Sequence, residues 1–114
     1  QPAALSAVAE TVPAIYWNLF WQGIGREAFA AFSRQEFPAK WFCQQLKADE
    51  NARCLEGIAY QLAFIENGDV RRARRFCSAL TRDQQSSCLQ YALDWQQFLT
   101  RVVENTPPEI QPHG

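Results

Sequence analysis

The 114 residues predict an all-α fold, a short solenoid or bundle of about six antiparallel helices arranged as helical-hairpin repeats. Three observations carry that expectation. Ala, Gln, Leu, Arg and Glu are frequent, while Val, Ile and Thr are few and scattered, and there are only five Gly and six Pro; this favours helix over sheet. The chain repeats itself at an interval of 34 residues, so that Cys43 stands to Cys77 as Cys54 stands to Cys88. Turn and capping signals recur at the boundaries that this interval implies.

In chain order, the apolar pattern and its breaks predict helices over about 3–11, 13–32, 37–47, 50–66, 69–80 and 82–104. Thr11 before Pro13 marks the second start, because Pro at a first helical position loses no hydrogen bond. The run Phe32-Ser33-Arg34-Gln35-Glu36 before Pro38 breaks the second helix. Its counterpart Glu66-Asn67-Gly68-Asp69 carries an Asn-Gly pair that tolerates left-handed backbone. Asp49 stands at the fourth start, and Thr81 with Gln84 three residues on reads as a capping box. These elements form one domain over 1–104, followed by a tail over 105–114 with three Pro in ten residues, expected to be extended.

The repeat is sharpest between residues 39–56 and 73–90, where Ala39, Phe42, Cys43, Leu46, Asp49, Cys54 and Leu55 recur as Ala73, Phe76, Cys77, Leu80, Asp83, Cys88 and Leu89. A fainter copy precedes them. Gly23 and Ile24 recur as Gly57 and Ile58, and the cysteine positions become Ala9 and Phe20, an apolar pair suited to two positions that face each other. If each helix boundary falls between the members of a pair, Cys43 opposes Cys54 and Cys77 opposes Cys88 across neighbouring helices, within reach of the roughly 5.5–6 Å Cα separation of a disulfide. Two other arrangements stay open. An unbroken helix through each pair gives Cys43–Cys88 and Cys54–Cys77, resembling the twin-Cys hairpins of the mitochondrial intermembrane space, and the four thiols could also be free or hold a metal.

A net charge of −1 speaks against a nucleic-acid or membrane-surface binder, and no apolar run is long enough to insert in a membrane. The cysteine density points to an oxidising compartment, periplasmic or secreted. With no Met and a start at Gln1-Pro2-Ala3-Ala4, the chain reads as a mature product or an excised domain.

Asn67-Gly68-Asp69-Val70-Arg71-Arg72-Ala73 followed by Phe76, on a 34-residue period of paired helices, resembles the tetratricopeptide repeat class, in which a small Ala permits close helix contact. The chain departs from that family in the first helix of the unit, where Gly57, Tyr60, Gln61 and Phe64 stand at positions of Trp, Leu, Gly and Tyr. The resemblance implies a groove that binds a protein or peptide, faced by Trp21, Ile24, Ala28, then Leu55, Ile58, Leu62, then Leu89, Ala92, Gln96. Trp17 joins this set through the aromatic run Tyr16-Trp17-Asn18-Leu19-Phe20-Trp21, which is apolar around most of a helix and needs cover; the partner-binding expectation is therefore Trp17, Trp21, Ile24, Leu55, Ile58 and Leu62, with a homodimer as one possible use.

Catalysis finds no footing. The sole His, His113, lies in the Pro-rich tail, where a general base lacks a held geometry, and the carboxylates are scattered over separate helices. Gly23-Ile24-Gly25 has neither the preceding strand nor the third Gly of a dinucleotide fingerprint, and reads instead as a site of close helix approach. Arg71-Arg72-Ala73-Arg74-Arg75 is a solvated helix face with the capacity to dock an acidic partner or phosphate. The sequence thus suggests a protein-interaction domain with no enzyme activity, no cofactor and no metal. Its alternatives are a secreted inhibitor or immunity-type protein and a structural lumenal segment of a larger membrane protein.

Overall fold

The computed structural model describes residues 2–105, which are all-α: six helices and one 3-10 turn, with no strand among the described residues. They are α1 (Pro2–Ala9), the 3-10 turn (Ala14–Tyr16), α2 (Trp17–Ala31), α3 (Glu36–Gln44), α4 (Ala48–Ile65), α5 (Arg71–Ser78) and α6 (Arg82–Asn105). The tail from 106 onward, including His113, lies outside the described residues; Asn105, expected in the tail, closes α6.

Each boundary has a local cause. At the end of α1 the Thr11 hydroxyl donates to the Val8 carbonyl at 2.7 Å, so Thr11 finishes one helix and does not begin the next. Pro13, with φ −55° and ψ 141°, caps the 3-10 turn, and this delays the start of α2 to Trp17 where a continuous helix from 13 was expected. α2 and α4 end alike: the Arg34 N–H reaches the Phe29 carbonyl at 2.8 Å and the Gly68 N–H reaches the Ala63 carbonyl at 2.8 Å. Both closures need left-handed residues. Asn67 and Gly68 supply φ 55° and 89°, whereas in the earlier copy Ser33 and Arg34 adopt φ 57° and 60°.

α4 begins where Glu50 accepts the Lys47 N–H at 3.2 Å, which places Asp49 in the first turn, a favourable site for negative charge. Between α5 and α6 the Gln85 amide donates to the carbonyls of Leu80, at 2.8 Å, and Ser78, at 3.2 Å, joining the end of one helix to the start of the next.

α4 is the centre of the molecule, in contact with α2, α3, α5 and α6. Cys54, Leu55, Ile58, Ala59, Leu62 and Ala63 are all buried along it, and each large apolar side chain removed from water here stabilises the fold by about 1.5–3 kcal/mol. α2 and α4 touch backbone to backbone at two glycines. A Cβ at Gly25 would overlap the Cys54 carbonyl, and one at Gly57 would overlap the Gln22 carbonyl; Gly23 has only the Arg26 side chain near it, at 3.7 Å. Close approach is therefore the role of Gly25 and Gly57.

The disulfides are local. Cys43–Cys54 joins α3 to α4 with Cα atoms 5.5 Å apart, and Cys77–Cys88 joins α5 to α6 at 5.7 Å. Of the three arrangements the sequence allows, this is the hairpin one: helices break between the members of each pair, and opposing positions on neighbouring helices meet. All four cysteines are nearly inaccessible to solvent.

Candidate functional site

Of the six residues expected to meet a partner, Trp21, Leu55, Ile58 and Leu62 are 0–1% exposed and belong to the core. The groove implied by the tetratricopeptide resemblance is closed at these positions. The physical reason is the Gly25–Gly57 crossing: it draws α2 onto α4 and buries their apolar stripes. Trp17 and Ile24 are partly buried against that core. Ile24 also borders a small apolar hollow of about 260 Å³ with Leu5, Ala28, Ala31, Phe32 and Phe42. Ala92 is buried, while Leu89 packs on the core edge.

A set of mutually contacting aromatic residues lies along a different line. On α4 and α6, Tyr60, Phe64, Tyr91, Trp95 and Phe98 form a seam of rings. Tyr60 lies 5.3 Å from Tyr91 and 4.9 Å from Trp95, Trp95 is 5.5 Å from Phe64, and Phe98 stacks on Trp95 at 5.5 Å. Phe64 and Phe98 are each about half exposed. Beside them is a shallow depression of about 270 Å³ floored by Tyr60, Tyr91, Trp95 and Phe98 and edged by Asp94. The sequence carried a signal for this seam: Tyr60 and Phe64, like Tyr91 and Trp95, stand four apart on one helix face. They fall on a different helix face from the positions that the resemblance assigned to a groove, and in the sequence Tyr60 and Phe64 stand out only as departures from the repeat pattern.

One end of the seam is anchored by charge. The Arg26 guanidinium sits 4.9 Å over the Tyr60 ring and donates to the Tyr91 hydroxyl at 3.1 Å, a cation–π and hydrogen-bond pair that holds both rings in place. Burial pushes the Tyr91 phenol above its ordinary range, and the neighbouring Arg26 opposes this in part. Behind it, the buried Glu56 accepts from the Gln22 amide at 2.8 Å and pairs with Arg53 at 2.7 Å. With both carboxylate oxygens engaged, Glu56 fixes the register of α2 on α4. It is not presented to a substrate.

A second surface lies on α3 and α5. Phe37 and Trp41, four residues apart, are 80% and 55% exposed. Arg71 and Arg75 of α5 stand at the equivalent positions of the next repeat; Arg71 pairs with Asp69 at 2.6 Å, and Arg72 pairs with Glu36 at 2.8 Å and Glu66 at 3.6 Å. The Arg71 guanidinium holds the Asp69 carboxyl below its usual range.

Among the described residues, no group of three or more His, Cys, Asp or Glu side chains could hold a metal ion, and no helix is long and apolar enough to cross a membrane. Comparison with protein-family models, with curated proteins and with solved structures finds no match for this chain.

Proposed function

We propose that this chain is a protein-interaction domain of an oxidising compartment, periplasmic or secreted, acting by binding and not by catalysis. The observation that carries this reading is the aromatic seam of Tyr60, Phe64, Tyr91, Trp95 and Phe98. Large rings at the surface, held by rigid helices and flanked by charge, are the usual anchors of protein interfaces. The two buried disulfides support both halves of the reading: they suit an oxidising environment, and they restrict the helices that display the rings, which lowers the ordering cost of association. The repeat period and its resemblance to tetratricopeptide units point the same way, with the docking surface moved from the core-filling stripe to the seam.

The test is site-specific photo-crosslinking in the producing cell, with benzoylphenylalanine placed at Phe98 or Phe64 and, as a reference, at Glu27 on α2. A discrete adduct with another protein at 98 and 64, missing at 27, supports the proposal; an adduct with a second copy of the chain supports the homodimer form of it. Equal, diffuse labelling at all three positions would remove the seam as an interface.

A further inference from the structure

We propose a second docking surface, the basic groove between α3 and α5, whose occupant is an acidic protein segment that carries an apolar side chain. This rests on the reading of the chain as an interaction domain, but it uses none of the residues of the aromatic seam. The groove has a volume of about 380 Å³ and is bordered by Phe37, Lys40, Arg72, Arg75, Phe76 and Ala79, with Glu36 also on its border and paired to Arg72. It runs on through Arg72 and Arg75 into a wider depression of about 720 Å³ that adds Arg71, Arg74 and Ser78 together with Glu66 and Asp69.

The chemistry of the lining specifies the guest. Phe37, Phe76 and Ala79 give an apolar lining that a phosphate or a purely charged chain leaves unused, and an aliphatic or aromatic side chain fits there. Around it stand Lys40, Arg71, Arg72, Arg74 and Arg75, on a chain whose net charge is −1. Arg71 and Arg72 are steadied by Asp69, Glu36 and Glu66. Lys40, Arg74 and Arg75 have no carboxylate within ion-pair distance among the described residues, so their charge is directed to whatever enters. Carboxylates spaced along a peptide on either side of an apolar residue meet all three. An anionic bilayer is the poorer fit, since the apolar lining is set between two helices and Glu36, Glu66 and Asp69 on its margins repel a continuous negative surface.

The experiment measures fluorescence anisotropy of a labelled peptide, a Phe flanked on both sides by Asp and Glu, titrated with the oxidised full chain. Parallel titrations use a peptide with Ser in place of that Phe, a peptide with Lys in place of its acids, and vesicles of phosphatidylcholine with phosphatidylserine. The expected result is saturable binding of the Phe-containing acidic peptide, weakened by salt and weakened by about tenfold or more in K40E/R75E, with little binding of the Lys peptide or the vesicles. If K40E/R75E does not fold by circular dichroism, R74E/R75E, at two exposed positions, carries the same expectation. Unchanged affinity in a folded charge-reversed variant, equal affinity for the Ser peptide, or preference for vesicles overturns the proposal. Crosslinking from Phe98 that survives K40E/R75E leaves the broader interaction reading standing whichever way the peptide titration falls.

Discussion

The first pair of helices differs from the two hairpins that follow it at the very positions where those hairpins are linked. In the later copies Cys43–Cys54 and Cys77–Cys88 cross the hairpin as covalent links. In the first, the equivalent positions hold Ala9, buried, and Phe20, partly buried and edge-on to Trp21 at 5.1 Å. The first copy is also less finished elsewhere: Val8, Ile15, Tyr16 and Leu19 remain exposed, and its closing turn places Ser33 and Arg34 in left-handed backbone where the next copy has Asn67 and Gly68. One repeat position therefore carries an apolar side chain in the first copy and a covalent link in the later two. The bond also restricts the unfolded chain, which apolar contact does not.

The largest expected effect comes from removing the links. Replacing one cysteine pair by Ala, whether Cys43 with Cys54 or Cys77 with Cys88, should lower stability by about 3 kcal/mol in denaturant titration, and replacing both pairs should remove about 6 kcal/mol, a large share of the roughly 5–15 kcal/mol that a domain has. Phe20→Ala, the corresponding cut in the first hairpin, should cost less than either, about 1–2 kcal/mol. If it costs as much as a disulfide, the contrast between the copies fails.

Next come the glycines at the α2–α4 crossing. Gly25→Ala and Gly57→Ala each drive a methyl into a backbone carbonyl and should destabilise by about 1–3 kcal/mol or more. Gly23→Ala, in the same helix but facing only the flexible Arg26 side chain, should be neutral or stabilise by up to about 1 kcal/mol. Thermal denaturation of the three variants separates close approach from helix propensity.

A smaller effect tests the turn. Arg34→Gly gives the first copy the residue that the second already has, and should raise stability by about 0.5–1 kcal/mol, the relief of left-handed strain less the extra freedom of Gly when unfolded. No gain would mean that the two turns are equally well built.

The last of the mutational effects is confined to alkaline solution. Because burial raises the Tyr91 phenol above its unfolded value, the folded chain keeps that proton longer than the unfolded one. The resulting stability is fully present below the ordinary tyrosine range and is lost as pH rises through the raised value. Tyr91→Phe should flatten that alkaline decline, which is read from denaturation midpoints across the pH series.

Much of this architecture is legible in the sequence, because the features that set it are local or repeated. The Asn67-Gly68 turn, the 34-residue interval and the breaks between paired cysteines are enough to place six helices and to favour the two observed disulfides. The outward face is not legible, and the reason is physical. α2 and α4 are apolar around much of their circumference, so periodicity leaves several rotations about the helix axis equally good. Gly25 and Gly57 decide between them through backbone contact, and that contact turns Trp21, Leu55, Ile58 and Leu62 inward while Tyr60 and Phe64 are left toward the surface of α4. The first hairpin misleads in a smaller way: Thr11 has the composition of a helix start, yet its hydroxyl serves the helix behind it.

The fold as a whole depends on each link closing its own hairpin, and peptide mapping of the non-reduced protein by mass spectrometry tests this directly. Cys43 joined to Cys54 and Cys77 joined to Cys88 is the result it predicts. Cys43 joined to Cys88, or unmodified thiols at these positions in the mature protein, would contradict it.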